Sequence, residues 1–311
     1  MTAIQPSYQS TQPKKLFALI NPVAGSCDPA SVQATLTRLC AEADQDCVIR
    51  ETSADEDITA TVKDLAQYKP ACIVVAGGDG TVGAVAAGLV GTAIPLAILP
   101  VGTANLIAHE LNLPTDMETA CRLAVARHRT RPLDAMQVDN QLFFTRISLG
   151  TYSKITENTS PEAKKRFRQL AYIWSALPEL VGGHRWRFAI ELDGKAIVTR
   201  AAFIMIANVG TVGAGALRWG PDIKPDDGRI DVCIVHARTL LDYLVMLWHV
   251  LRHRHREAEV MNFYQVTKRL RIAPRKRVPM RGDGEAMNYE TLTIDVITGA
   301  VNIVAPNGDM G

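Results

Sequence analysis

Between Cys72 and Thr81 an apolar run breaks into Gly77-Gly78-Asp79-Gly80-Thr81. A short apolar segment bounded by Pro70 and glycines predicts a buried strand of an α/β sheet, and glycines let backbone amides approach a ligand closely. A phosphate fits such a turn. Asp79 is itself an anion, so its chemistry there would run through a metal ion, a sugar hydroxyl or a water. The plain alternative is a strand ending in a turn whose aspartate bonds its own backbone. A second element is built alike: Ile94 to Pro100 is apolar and ends in Val101-Gly102-Thr103-Ala104-Asn105. A third polar loop, Asn21-Pro22-Val23-Ala24-Gly25, follows the apolar run Leu16 to Ile20. In open α/β sheets ligands bind outside the carboxyl ends of the strands, where one cleft can use several such loops.

The elements that must position these loops alternate. After a disordered leader, Met1 to Pro13, the strand Leu16–Ile20 precedes a helix with Ser31 as N-cap and a stripe of Val32, Leu36, Leu39 and Cys40. A strand at Cys47–Arg50 precedes a helix striped by Ile58, Val62, Leu65 and Ala66, and the glycine motif leads into a helix over Thr81–Leu89. Helices around Leu106–Leu111 and Met117–Arg127 follow the Pro95 strand. Such alternation is the βαβ pattern of a mostly parallel sheet.

Beyond Pro132 the chain becomes strand-rich. Met136–Val138 and Leu142–Ser148 flank a short turn at Asp139-Asn140-Gln141, and Arg187–Leu192 and Ala196–Ala207 flank Asp193-Gly194, a hairpin signal. Further strands are predicted at Asp231–Val235, Gln265–Ile272 and Leu292–Ile297. Two helices interrupt them. One opens at Ser160-Pro161 with a stripe of Ala163, Phe167, Leu170, Trp174 and Leu177; the other opens at Thr239, with Asp242 completing a capping box ahead of Leu244, Leu247, Trp248 and Leu251. Both end near basic residues, so each either packs on a sheet or lies at a lipid interface.

Composition narrows the function classes. The 311 residues, 47% hydrophobic and 21% charged, can bury one large or two medium cores. A net charge of +2, with basic runs lacking interleaved aromatics, argues against a nucleic-acid partner. Local basic runs at 127–131, 252–256 and 268–281 suit an anionic substrate or anionic lipid. The six cysteines form no Cys-x-x-Cys pair, so they are expected reduced and the location cytoplasmic. The N-terminus has no signal-peptide pattern and no run reaches spanning length, so any membrane contact is expected to be peripheral. His249, His253 and His255 lack a third partner at metal spacing and read as basic helical surface.

Taken together, Asn21-Pro22…Gly25, Gly77-Gly78-Asp79-Gly80-Thr81, Gly102-Thr103-x-Asn105, Asn208…Gly213-x-Gly215, Pro221…Asp227-Gly228-x-Ile230-Asp231 and Gly282-Asp283-Gly284-Glu285 resemble the diacylglycerol kinase catalytic-domain family. The likeness is closest to its soluble bacterial lipid kinases and covers Leu16 to Val304. It implies an α/β fold in two domains: an N-terminal Rossmann-like, NAD-kinase-like nucleotide-binding domain over 14–134, and a C-terminal β-sandwich with inserted helices over 135–297. The last strand, 298–306, is expected to return to the first domain, with nucleotide in the cleft between the two.

The resemblance also implies roles. Asp283 is the expected general base for γ-phosphoryl transfer from ATP to a lipid hydroxyl, with Glu285 orienting it or holding Mg2+ and Asp79 beside nucleotide and Mg2+. Asn21, Pro22, Gly25, Thr52, Gly77, Gly78, Asp79, Gly80, Thr81, Gly102, Thr103 and Asn105 are expected around the nucleotide. Asp227 and Asp231 match a region where relatives carry a second cation. There is no Gly-Lys-Ser/Thr phosphate loop, so cationic help is expected from magnesium or an arginine such as Arg218 or Arg281. Gly83, Ala84, Leu106 and Thr145 depart from the usual pattern. Diacylglycerol is the foremost acceptor, while a sphingoid base, phosphatidylglycerol or an undecaprenyl-type alcohol offers nearly the same reacting group. An NAD-kinase-like activity and a non-catalytic ATP or lipid sensor are the alternatives. The expected partner is a lipid at the inner face of the membrane, and a homodimer through a sheet edge is open.

Overall fold

The computed structural model describes residues 15–25, 27–126, 129–153, 184–212, 217–220 and 222–306. The glycine motifs end neighbouring parallel strands. β1 (Lys15–Ile20) lies between β2 (Asp46–Glu51) and β3 (Cys72–Gly77), and β3 pairs in turn with β4 (Leu96–Pro100). All six residues of β3 are buried, because helices cover both faces of a parallel sheet and leave it no solvent side. Those helices are α1 (Pro29–Glu42), α2 (Ile58–Gln67), α3 (Asp79–Leu89), α4 (Leu106–Glu110) and α5 (Met117–Ala126). Val62, Val75, Val85 and Leu89 belong to one core cluster, Leu36, Val74, Leu99 and Cys121 to another.

Two helix starts differ from the expectation. α1 begins at Pro29 after Asp28, ahead of Ser31, since proline at the first helical position is preset for helical φ. α3 begins at Asp79 with Gly78 as its N-cap, so the second half of the glycine motif is the first turn of a helix and its free amides face outward from the sheet.

The strand-rich half continues with β5 (Arg129–Val138), β6 (Gln141–Phe143), β7 (Arg146–Gly150), β8 (Trp186–Leu192), β9 (Lys195–Ala201) and β10 (Phe203–Ala207). A two-residue pair, β11 (Thr211–Val212) with β12 (Leu217–Arg218), precedes β13 (Ile230–Val235), β14 (Met261–Val266), β15 (Arg269–Pro274), β16 (Met280–Gly282), β17 (Glu285–Met287) and β18 (Leu292–Ala305). Among the described residues β14-β13-β10-β7-β16-β17 form one sheet. It faces β8, β15 and the start of β18 across a core of Phe188, Ile190, Ile204, Val232, Ile272 and Ile294. β18 ties both halves together: Leu292–Asp295 pairs with β15, while Ile303 pairs in parallel with Leu96 of β4, and β5 runs antiparallel along its length.

Three predicted strands prove to be two strands each: the run 142–148 divides between β6 in one sheet and β7 in the other, with Phe144 and Thr145 linking them. The run 196–207 breaks at Ala202, where the chain leaves one sheet for the other, and the run 265–272 breaks between Val266 and Arg269 for the same reason. Apolar character continues across the break at Ala202, because both sheets face one core, whereas exposed Thr267, Lys268 and Arg269 mark the break in the run 265–272. Donors freed at that break are taken up by Asp193, whose carboxylate accepts the amides of Thr267 (2.8 Å), Lys268 (2.9 Å) and Arg269 (2.9 Å). The predicted leader and the helix striped by Phe167 and Trp174 lie outside the described residues, as do Gly213, Gly215 and Pro221.

Candidate active site

Close backbone contact brings the three loops together. Asn21 Nδ2 donates to the Thr81 hydroxyl at 2.8 Å, tying the loop after β1 to the first turn of α3. Gly25, at φ +52°, lies against Val101 and Gly102, and Gly102 in turn lies against the backbone of Gly78; a Cβ at either position would overlap its neighbour. A Cβ on Gly77 would stand 2.7 Å from Thr81 Cβ. Asn105 adopts a left-handed conformation at φ +48° and donates through Nδ2 to the carbonyls of Pro100 (3.1 Å) and Gly102 (2.9 Å). Thr52 is buried below, its amide on Ile20 O at 2.8 Å. Pro22 and Thr103 sit within the two loops, and Gly80 is exposed with nothing near it.

Four carboxylates line one cleft of about 780 Å3: Asp57, whose side chain caps α2 by accepting the Ala60 amide, and Asp79, Asp283 and Glu285. Burial pushes the Asp79 carboxyl above its ordinary value; the amides of Ile107 and Leu106 and the charge of Arg146 oppose the shift, and Asp283 adds to it. Asp283 occupies the turn between β16 and β17 at φ +47°, followed by Gly284 at +95°. Consecutive left-handed residues make a tight hairpin turn that Asp-Gly readily adopts. The turn aims the Asp283 side chain at the start of β7. Its Oδ1 accepts the Thr145 amide (3.0 Å), the Thr145 hydroxyl (2.6 Å) and the Arg146 amide (2.9 Å), while Oδ2 accepts only the Phe144 amide (2.7 Å). Among the described residues Oδ2 therefore carries one donor against three on Oδ1 and is the oxygen with acceptor capacity left. Thr145, one of the departures from the family pattern, is thereby a donor to the candidate base. Asn208 braces the same segment, its Nδ2 donating to Phe144 O (2.9 Å) and Asp134 O (2.8 Å).

The cations around the cleft are not those expected. Arg218 is paired with Glu110 at 2.6 Å and Arg281 donates to Gly284 O, so both have structural work. Lys63, from α2, lines the cleft instead. Arg146 is close enough to act on Asp79, and its buried Nη1 has no hydrogen-bond partner among the described residues. Sequence reading missed both residues. The only signal for Arg146 was a charge within the otherwise apolar stretch 142–149.

The second acidic group is partly occupied by protein donors, and the buried Asp231 Oδ2 has no hydrogen-bond partner among the described residues. Asp227 Oδ2 accepts from Arg229 at 2.9 Å, and Asp231 Oδ1 accepts from Gln265 at 3.3 Å, with burial raising the Asp231 carboxyl to about 6. A third acid belongs with them: Asp134 is 1% exposed and accepts the amides of Gly228 (2.6 Å) and Gly299 (2.7 Å). Among the described residues no three His, Cys, Asp or Glu side chains converge as a ready cage for an ion. Magnesium needs no such cage, since it usually takes one or two carboxylates and fills its other positions with water and phosphate oxygens. Asp79 and Glu285 fit that requirement; a cation on Asp227 would have to displace Arg229.

Parallel strands ending in glycine loops, joined by a shared strand to a sandwich that lends an aspartate to the cleft, define a two-domain kinase fold. Residues 15–138 match the diacylglycerol kinase catalytic domain, and residues 145–305 match the YegS C-terminal NAD kinase beta sandwich-like domain. The chain belongs to this family of lipid kinases. It is 27% identical over 236 residues to a diacylglycerol kinase of Bacillus subtilis, covering 75% of this chain and 77% of the relative. It is 33% identical over 202 residues to a Pseudomonas aeruginosa protein named "Probable lipid kinase YegS-like", covering 62% of this chain and 64% of the relative. The fold is that of a diacylglycerol kinase from Bacillus anthracis, with a TM-score of 0.79 at 23% identity, over 95% of this chain and 98% of that one.

Proposed function

We propose that this lipid kinase transfers the γ-phosphoryl group of ATP to the free hydroxyl of diacylglycerol. The observation that carries the reading is that Asp283 Oδ2, with one donor among the described residues against three on Oδ1, shares a cleft with Asp79, Lys63 and the Gly80-Thr81 end of the glycine motif. Nucleotide phosphates are received by amides at the start of α3 and by the Asn21, Thr81 and Thr103 side chains, which supply neutral donors and the positive end of a helix. Lys63 and Arg146 add charge where the transferring group spreads its own. As the new oxygen–phosphorus bond forms and the bond to ADP breaks, the hydroxyl proton passes to Asp283 Oδ2. The three donors on Oδ1 hold the carboxylate in one orientation throughout. Mg2+, held by Asp79 and Glu285, would neutralise the phosphate oxygens. The enzyme works as a peripheral protein on the cytoplasmic side of a membrane, in keeping with the lack of a helix among the described residues long and apolar enough to cross one.

The test incubates purified protein with γ-labelled ATP, Mg2+ and, separately, diacylglycerol, a sphingoid base, phosphatidylglycerol, an undecaprenyl-type alcohol and NAD. Label in phosphatidic acid is expected. Label on another lipid would overturn the choice of acceptor, label on NAD would overturn the lipid reading, and ATP binding with no transfer would leave a sensor.

A further inference from the structure

The helix α6 (Leu240–Leu251) is apolar on both sides. It starts at a capping box, with the Thr239 hydroxyl accepting the Asp242 amide at 3.2 Å and Asp242 accepting the Thr239 amide at 2.9 Å, so its orientation is fixed at the entry. Tyr243, Met246 and Val250 face inward and pack with Phe203, Met205 and Val235 of β10 and β13. The outward side carries Leu241 (66% exposed), Trp248 (56%), Leu251 (55%) and Leu244 (54%), with Leu240, Val245 and Leu247 exposed beside them. At about 100° per residue these seven side chains sweep roughly 160° of the circumference, and no charged residue falls within the arc. Scattered apolar residues on a surface are ordinary, whereas a continuous face of this breadth marks an interaction surface.

The charges at its ends say what covers it. At the N-terminal end Arg185 Nη2 donates to the Arg200 carbonyl at 2.7 Å and the Arg238 amide donates to Asp242 Oδ2 at 2.6 Å, which gathers the three arginines there; none forms an ion pair with an acid among the described residues, and burial and the charges of Arg238 and Arg200 lower the Arg185 pKa against the opposing charge of Asp242. At the C-terminal end the Arg252 guanidinium lies 4.2 Å from the Trp248 ring centroid, an amphipathic pair of the kind found where apolar surface meets headgroups. A second copy would bring equally cationic rims to the contact, with Asp242, already bound to the Arg238 and Thr239 amides, as the one acid of the helix. Anionic lipid supplies both the apolar medium and the counter-charge.

We propose that the outward face of α6 seats on an anionic bilayer, with Leu241, Leu244, Trp248 and Leu251 at the acyl boundary and Arg185, Arg200, Arg238 and Arg252 against lipid phosphates. This rests on membership of a lipid-kinase family, whose acceptor resides in such a bilayer. The test sediments the full chain with vesicles of phosphatidylcholine, with and without phosphatidylglycerol, beside the triple variant Leu244→Gln/Trp248→Gln/Leu251→Gln and the double variant Arg238→Gln/Arg252→Gln. Their folding is checked by thermal melting, and turnover is measured on a short-chain diacylglycerol dispersed below its aggregation limit. Wild type is expected to pellet with phosphatidylglycerol vesicles, each variant to bind at least tenfold less, and salt to weaken wild-type binding, with turnover on the dispersed substrate unchanged. Equal pelleting of all three proteins, or none by wild type, would overturn the proposal. So would a dimer that the triple variant converts to monomer without any vesicle binding. Vesicle binding is read without turnover, so an inactive protein that still pellets would fault the kinase assignment alone.

Discussion

Asp283 and Asp193 hold the same posture: each sits at φ +47° ahead of a left-handed glycine and clasps three successive backbone amides and one threonine hydroxyl of a crossing segment. The clasp itself is therefore scaffold, a way of fastening a hairpin to a chain that changes sheets. Chemistry distinguishes Asp283 by its surroundings, because it opens on the cleft with Asp79 and Glu285 whereas Asp193 lies on the exposed surface.

Asp193→Asn isolates the scaffold half of that comparison. Burial works to raise the Asp193 carboxyl, but the amides of Thr267, Arg269 and Lys268 and the Thr267 hydroxyl outweigh it and hold the group at about 2, below its ordinary 3.8. The stabilisation is present above pH 4 and disappears as pH falls through 2. Denaturant unfolding should show a loss of about 1 kcal/mol at neutral pH, reduced because the group is exposed, and little difference near pH 2. Turnover should not change.

Thr145→Val removes one donor from Asp283 Oδ1 and leaves the two amides there. Unfolding should cost about 1 kcal/mol. With one donor fewer the carboxylate is held less firmly in one orientation, so turnover should fall while ATP binding is unchanged. Thr145→Ser, which keeps the hydroxyl, should restore wild-type turnover.

Arg146→Met tests the cation whose Nη1 has no hydrogen-bond partner among the described residues. Its charge offsets part of the rise that burial imposes on Asp79. Without it the Asp79 carboxyl rises further, and the pH at which activity is half lost on the acid side should rise too. Turnover at neutral pH should fall about tenfold or more if the guanidinium also meets the transferring phosphoryl group. Lys63→Met should weaken ATP binding without moving that limb.

Gly102→Ala places a Cβ against the Gly78 backbone, which has no side chain to swing aside. The loops must part. A destabilisation of about 1–3 kcal/mol is expected, with loss of ATP binding measured by calorimetry.

Much of this arrangement is legible in the chain. β3 announces itself as a continuous apolar run because it is buried on both faces, Asp-Gly marks both clasped hairpins, and the Thr239–Asp242 capping box forms as its spacing requires. What escapes is set by distant partners. Nothing in the apolar stretch 196–207 shows that Ala202 is where the chain changes sheets, since the residues on either side share one core. The aspartate of the β16–β17 turn is recognisable, but the four donors that occupy it come from Phe144 and Thr145 in the link between β6 and β7 and from Arg146 at the start of β7. Arg218 looked free in sequence until folding brought it to Glu110, while Arg146 drew no reading until folding left its Nη1 buried without a partner among the described residues.

The central claim is that Asp283 is both clasp and proton acceptor, and it is tested most directly by comparing Asp283→Asn with Asp193→Asn. Both variants lose a similar set of hydrogen bonds, so each is assayed at a temperature where melting shows it folded, with γ-labelled ATP and diacylglycerol in mixed micelles. Turnover should fall by at least about a hundredfold in Asp283→Asn and stay within about twofold of wild type in Asp193→Asn. Comparable turnover in the two folded variants would contradict the account and leave Asp283 a clasp alone.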